Sequence, residues 1–435
     1  MRRRQAVPQR PLRIAMVAPC VFPSPRGSQV LIRELAQALA ERGHHVHLVT
    51  YPWAECLVPI SGIFVHRVSL PKVRTAPANL GWWKLLLDLR LAAVLYRVVR
   101  RERIDVIHAH NYEGPLISYL VRWRTGVPVV YHSHNALSDE LEHYWKPGWR
   151  RWCARRLGSV LDRYVPRRAD FSIALTPELE GFLRAHGVPG TRLAVLPPGA
   201  GPCAISDTQV PKAAAFEGRF VVMYTGNLDA YQDLGVLCRG VEAFQEEVPE
   251  ALLVVLTHEA NWVERIPPSL SALVSAGRAR VVVAPAFAVV RRWLTRADVL
   301  VCPRSSWSGF PIKLLNYMAA GRAVVAAEGS AKGIVDGETG LVFPNGDAEA
   351  LAQALRRLFS DPLLRQRLGE RVRTAAHEWW TWSGVASRLE RIYAQVCSLA
   401  EQPRAPSFPA AHSQRLIASS RGRMNAPLRY RGKSR

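Results

Sequence analysis

The chain has 435 residues, a formal net charge of +23 and 49 % apolar residues. That length exceeds one ordinary hydrophobic core and predicts two domains plus extensions. The seven cysteines are scattered, with no Cys-x-x-Cys pair. This argues against a disulfide framework or a zinc site, and it fits a reducing compartment. The excess positive charge implies an anionic partner: nucleic acid, a phospholipid surface or a phosphorylated substrate.

Residues 1–10 are basic, but the apolar run that follows is a short strand interrupted at Pro19, so no signal peptide is expected. A Pro/Gly/Ser loop, "PCVFPSPRGSQ", leads into a helix with Ile32, Leu35, Ala36 and Leu39 on one face, closed by Gly43. "HVHLVTY", "IDVIHAH", "PVVYHSH", "DFSIALT" and "RLAVLPPG" then read as buried strands between helices. Continuous apolar runs of this kind predict a parallel sheet covered on both faces. Residues 80–99 are the most apolar stretch, yet Lys84, Asp88, Arg90 and Arg97 interrupt it, which argues against a transmembrane span.

The second half repeats the style with "FVVMYTG", "ALLVVLT", "ARVVVAP", "DVLVCPR", "AVVAAE" and "TGLVFP". Residues 347–359 and 362–399 read as helical. The expected fold class is therefore α/β, with two doubly wound, Rossmann-like domains facing a cleft. The boundaries read as a basic extension over 1–10, a first domain over 11–205 and a linker over 206–217. A second domain follows over 218–380, then a C-terminal helix over 381–400. The tail, 401–435, carries eight Lys/Arg against one acid and is expected to be disordered.

Several motifs can carry chemistry. Gly27 and Ser28 follow the first strand and open the first helix, where backbone N–H groups can approach a phosphate. A plain connecting loop explains them equally. "HAHN" and "HSHN" each end a strand, and alternate residues of a strand share a face. Three readings stay open there: a metal site, polar groups lining the crevice, or buried hydrogen-bonding histidines. In "YTGNLDAYQDLG", Gly226 suits either a ligand's close approach or a tight turn. "SGFPIKLLNYMAAG" reads as a loop entering a helix. Pro311 suits its first position, Gly321 its stop, and Lys313 adds charge one turn in. Residues 145–168 mix Trp145, Trp149 and Trp152 with seven arginines. That suits an anionic membrane interface, or a solvated basic helix whose tryptophans face the core. Nothing resembles a nucleic-acid recognition module, and no nucleic-acid partner is expected.

Taken together, these segments resemble the retaining family-4 glycosyltransferases of GT-B fold over residues 12–399. "ADVLVCPRSSWSGFPIKLLNYMAAGRAVVAAEGSAKGIVDGETGLVFPNGDAEALAQAL" is the most specific segment. The resemblance implies sugar transfer from a nucleotide-sugar with retention of configuration, no metal or other cofactor, and a glycan or lipid-linked acceptor of the cell envelope. With the Trp/Arg stretch and the positive charge, which carry the membrane part, the resemblance points to a cytoplasmic protein, peripheral on the inner face of the membrane. It assigns His134, Lys313 and Asn316 to catalysis. Donor binding falls to Gly27, Ser28, Gly226, Asn227, Arg304, Ser308, Gly309, Phe310, Pro311 and Ile312. The family carries two glutamates eight positions apart, where this chain has Ser308 and Asn316. It also often carries an Arg and a Lys after "YTG", where this chain has Asn227 and no lysine. These departures keep two alternatives in view: a nucleotide-sugar-binding protein weakened in catalysis, and a sugar-nucleotide epimerase, which would need a pair of carboxylates.

Overall fold

The computed structural model describes residues 10–24, 26–54, 61–69, 83–144, 148–200, 216–284 and 287–401. Trp145, most of the linker and nearly all of the two basic ends lie outside them. The first lobe is a seven-stranded parallel sheet. Its strands are β1 (Arg13–Ala18), β2 (His45–Thr50), β3 (Ile63–Arg67), β4 (Val106–His110), β5 (Val129–Ser133), β6 (Phe171–Ala174) and β7 (Leu193–Val195). They lie in the order β3-β2-β1-β4-β5-β6-β7. Between them run α1 (Gly27–Glu41), α2 (Trp83–Arg101), α3 (Glu113–Thr125), α4 (Leu137–Tyr144), α5 (Trp149–Arg168) and α6 (Pro177–Ala185).

The second lobe holds β8 (Phe220–Thr225), β9 (Ala251–Thr257), β10 (Ala279–Val283), β11 (Val299–Cys302), β12 (Ala323–Ala327) and β13 (Leu341–Phe343). Their order is β10-β9-β8-β11-β12-β13. Its helices are α7 (Leu234–Glu247), α8 (Pro268–Ser275), α9 (Phe287–Leu294), α10 (Ile312–Ala320), α11 (Ala348–Ser360) and α12 (Pro362–Trp379). Strands β4, β5, β8 and β9 are buried along their whole length because helices cover both faces. Strand β3 alternates partly buried with exposed positions at the sheet edge, so it lacks the continuous apolar run that marks the others. Strand order reverses between β1 and β4, and again between β8 and β11. Crevices open at such switch points, at the carboxyl ends of the strands.

The helical pattern over 362–399 is two helices, not one. It breaks at Trp380 and Thr381, where Thr381 bridges to Ala200 and the Trp380 carbonyl accepts from the Ala200 N–H. Beyond the break, α13 (Trp382–Glu401) returns to the first lobe. Its Ala386, Leu389 and Tyr393 pack in one core with Leu12, Ile14, Met16 and Leu35. Glu390 pins it there, accepting from Arg42 Nε at 2.6 Å and Nη2 at 2.7 Å. The Arg42 bond holds the Glu390 carboxyl below its ordinary pKa.

The tryptophans of α5 do not face the core. Trp149 and Trp152 are 72 % and 60 % exposed, and Trp123 on the neighbouring α3 is 79 % exposed. Each has an arginine guanidinium 5.2–5.5 Å from its ring centre. Among the described residues, no helix is long and apolar enough to cross a membrane.

Candidate active site

A cleft of about 1490 Å³ opens between the strand ends of the two lobes. Its centre is a meeting of two helix starts. Helix α1 begins at Gly27 and α10 at Ile312, and a Cβ on Gly27 would lie 3.6 Å from Ile312 Cγ1. Neither start has a side-chain cap or an acidic residue in its first turn. Their first backbone N–H groups therefore remain available to an anion. Pro311 is one position earlier than the sequence suggested: it is the N-cap, with φ −74° and ψ 96°. Gly321 ends the helix at φ 66°, a left-handed conformation that glycine adopts without strain.

Lys313 sits beneath this meeting point. Its ammonium donates to Tyr224 Oη and Gln232 Oε1, both at 2.7 Å. Gly226 makes the space, since a Cβ there would lie 2.8 Å from Lys313 Nζ. Desolvation, with Arg304 opposing the charge, pushes the Lys313 pKa down to about 7. The site is thus short of negative charge around its lysine, a state that an incoming phosphate relieves.

The two lobes touch through the loop before α10. Gly309 has φ 79°, and a Cβ on it would lie 3.0 Å from the His134 carbonyl oxygen. Ser308 is buried, and its Oγ donates to Asp139 Oδ2 at 2.5 Å across the cleft. Arg304 Nη2 donates to the Ser308 carbonyl at 2.5 Å and to Ser306 Oγ at 3.2 Å, bracing the same loop.

The β4–β5 register places His110 beside His132. His108, His110 and His132 are buried beneath the crevice, while His134 lines it. His108 Nε2 pairs with His132 Nδ1 at 3.2 Å, and His110 Nδ1 with His134 Nε2 at 3.1 Å. Tyr393 of α13 reaches His108 Nδ1 at 2.6 Å. Burial lowers all four pKa values, His108 to about 3 and His134 to about 4, so the imidazoles are neutral at pH 7. Ligand atoms of His108, His110 and His132 lie within 4.8 Å of one another. Both nitrogens of His108 are engaged, whereas His110 Nε2, His132 Nε2 and His134 Nδ1 are buried without a hydrogen-bond partner among the described residues.

Residues 26–199 match the glycosyl transferase 4-like domain, and residues 219–361 match glycosyl transferases group 1. The chain belongs to the GT-B glycosyltransferases. It is 25 % identical over 393 residues to the phosphatidyl-myo-inositol mannosyltransferase of Mycolicibacterium smegmatis, covering 88 % of this chain and 94 % of that one. It is 27 % identical over 396 residues to the D-inositol 3-phosphate glycosyltransferase of Corynebacterium diphtheriae, covering 86 % and 90 %. Among solved structures, sucrose-phosphate synthase of Thermosynechococcus elongatus superposes with a TM-score of 0.74 at 18 % identity, covering 89 % and 100 %. Anabaena Alr3699/HepE in complex with UDP-glucose gives 0.67 at 16 %, covering 89 % and 100 %. These two share the fold.

In this glycosyltransferase all thirteen residues singled out from the sequence line the one cleft. They do not contribute alike. Phe310 is 7 % exposed and packs its ring 5.3 Å from that of Trp380, so its side chain belongs largely to the core. Asn227 is tied within its own loop, bonding Asp229, Tyr231 and Gln232. Asn316 is half-buried on the cleft wall, one turn from Lys313. Sequence reading passed over Tyr224 and Gln232, which hold Lys313, and Asp139, which holds Ser308. An acid near the start of a short helix after a strand is too common to stand out. The bonds from Ser306 and Ser308 to Asp139 form only where the two lobes meet.

Proposed function

We propose that this enzyme transfers a sugar from a nucleotide-sugar donor to a lipid-linked or cell-envelope glycan acceptor, with retention of configuration and without a metal. The observation that carries the reading is the convergence of two uncapped helix starts over a half-desolvated lysine. Backbone N–H groups of α1 and α10 would receive the donor's diphosphate, with the Lys313 ammonium beneath it. Such preorganised donors are worth several kcal/mol to a departing diphosphate once water is excluded. The diphosphate itself takes the acceptor's proton on the face it leaves, so no strong protein base is required. His134, neutral and held by His110, hydrogen-bonds the transferred sugar.

The exposed Trp and Arg side chains of α3 and α5 support action at a membrane surface. Tryptophan favours the interface, and each arginine near anionic lipid adds about 1 kcal/mol. Leu161 of α5 and Leu116 of α3 line the cleft, so the helices that carry this face also border the cleft.

The test is to incubate the protein with UDP-, GDP- and ADP-sugars and follow nucleotide release, then assign the product's anomeric configuration by NMR with a lipid-linked acceptor. Turnover with a retained anomer is expected. Ser308 and Asn316, where the resemblance expects glutamates, favour a second reading, a nucleotide-sugar-binding protein without catalysis. Donor binding with no turnover on any acceptor would select it.

A further inference from the structure

Asp139 is a carboxylate of the first lobe held against the donor loop of the second. Its Oδ2 accepts from Ser308 Oγ at 2.5 Å and from Ser306 Oγ at 3.0 Å. Both serines lie just before the start of α10, which faces the other way, toward anions.

The placement is built from underneath. Asp162 of α5 is fully buried and accepts from the Leu137 N–H at 2.9 Å and the Ser138 N–H at 3.0 Å. It thereby caps the start of α4, the helix that carries Asp139. Gly158 allows the approach, because a Cβ there would lie 2.7 Å from Ser138 Cα. A buried acid and a glycine on one helix thus set the position of an acid on the next.

The cleft is divided by charge at this point. The helix starts and Lys313 suit phosphate. A carboxylate repels phosphate and instead accepts hydrogen bonds from hydroxyls. Two hydroxyls, Ser306 and Ser308, already use it in that sense. A nucleotide-sugar offers hydroxyls on both sides of its diphosphate, on the ribose and on the transferred sugar, and a nucleoside diphosphate keeps only the ribose ones, so comparing the two ligands separates them.

We propose that Asp139 is a specificity-determining residue that accepts hydrogen bonds from the donor's sugar hydroxyls and, through Ser308, couples that contact to closure of the two lobes. This rests on the donor reading given above. The negative charge that related chains are expected to carry at position 308 is supplied here from the opposite lobe.

The test uses calorimetric titration of the full chain with UDP, UDP-glucose, GDP and GDP-mannose. For the donor that the wild type binds, Asp139→Asn should weaken the nucleotide-sugar about tenfold or more, the loss expected when a charged acceptor is removed from a hydroxyl. The matching nucleoside diphosphate should bind within about twofold of wild type, since no phosphate contact is touched. Retained diphosphate binding also shows that the variant is folded. Moving the charge back across the cleft, in Asp139→Asn combined with Ser308→Glu, should recover sugar-dependent affinity.

Equal weakening of nucleotide-sugar and nucleoside diphosphate would overturn the inference, because Asp139 would then act on the ribose or brace the cleft and not contact the transferred sugar. Unchanged affinity for both would overturn it as well. If the wild type binds none of these four ligands, nor ADP or ADP-glucose in the same titration, the donor reading itself fails and this one falls with it. That outcome is distinct from a selective null at Asp139.

Discussion

The Lys313 ammonium lies 3.9 Å from the centre of the Tyr224 ring and donates to the same residue's hydroxyl oxygen. The aromatic face and two neutral acceptors hold the cation without a carboxylate, which is why burial can lower its pKa to about 7. A diphosphate beside it restores the charged form. Nucleotide binding should therefore take up a proton above pH 7 and weaken as pH rises toward 8.5. Titration in buffers of different ionisation enthalpy measures this directly. Uptake should approach one proton at pH 8, fall near zero at pH 6, and vanish in Lys313→Met. Uptake that persists in Lys313→Met would place the titrating group elsewhere.

Gly309 meets the first lobe at the His134 carbonyl, with positive φ. Gly309→Ala adds backbone strain of about 1–2 kcal/mol and pushes two backbones apart at the contact. Misplacement of this order at a reacting centre costs on the order of a hundredfold in rate. Denaturant titration should show the modest stability loss and single-turnover kinetics the larger rate loss. Wild-type turnover in the variant would show that the lobes do not meet this way during the reaction.

The four buried histidines make the first lobe acid-sensitive. Their folded pKa values lie below the ordinary 6.5, so between pH 6.5 and about 4 the unfolded chain binds protons that the folded chain refuses. Stability then rises with pH through that window and falls on acidification, by up to about 1.4 kcal/mol per pH unit for each histidine. Unfolding free energies measured between pH 4.5 and 7 should show this slope. His132→Gln removes one proton from the balance and should flatten it, whatever its effect on stability at pH 7. An unaltered slope would mean that His132 is charged in the folded state.

The Trp/Arg face predicts vesicle binding. Trp149→Ser with Trp152→Ser should lower partitioning onto phosphatidylglycerol vesicles by roughly tenfold, and Arg155→Gln with Arg156→Gln should reduce both the affinity and its salt dependence. Sedimentation of the full chain with vesicles reads both. Transfer to a water-soluble acceptor should not change. Equal sedimentation of wild type and variants would remove the membrane from the proposal.

Much of the fold was legible because parallel strands buried on both faces leave uninterrupted apolar runs. β4, β5, β8, β9 and β11 all stand out for that reason. The edge strand β3 did not, because two of its five positions are exposed and none is fully buried. The helical pattern over 362–399 is interrupted at Trp380 and Thr381, at the boundary read between the second domain and the C-terminal helix, by pairing with Ala200, a residue distant in sequence. Residues 145–168 left two readings open, since an aromatic among arginines has the same pattern whether it faces core or water. Packing of α5 on α4 decided it, by turning Asp162 and Gly158 inward and Trp149 and Trp152 outward.

By itself the sequence determined two doubly wound lobes and the loop-to-helix start at "SGFPIKLLNYMAAG", through periodicity, glycine placement and a proline. Each of these is local, encoded within a few residues. Tertiary structure alone decided what completes the site. It set Gly27 against Ile312, packed three histidines under the cleft and His134 at its wall, held Lys313 among neutral partners and brought Asp139 to Ser308. Those pairs lie far apart in the chain, and their chemistry follows from desolvation and proximity, which exist only once the lobes have packed.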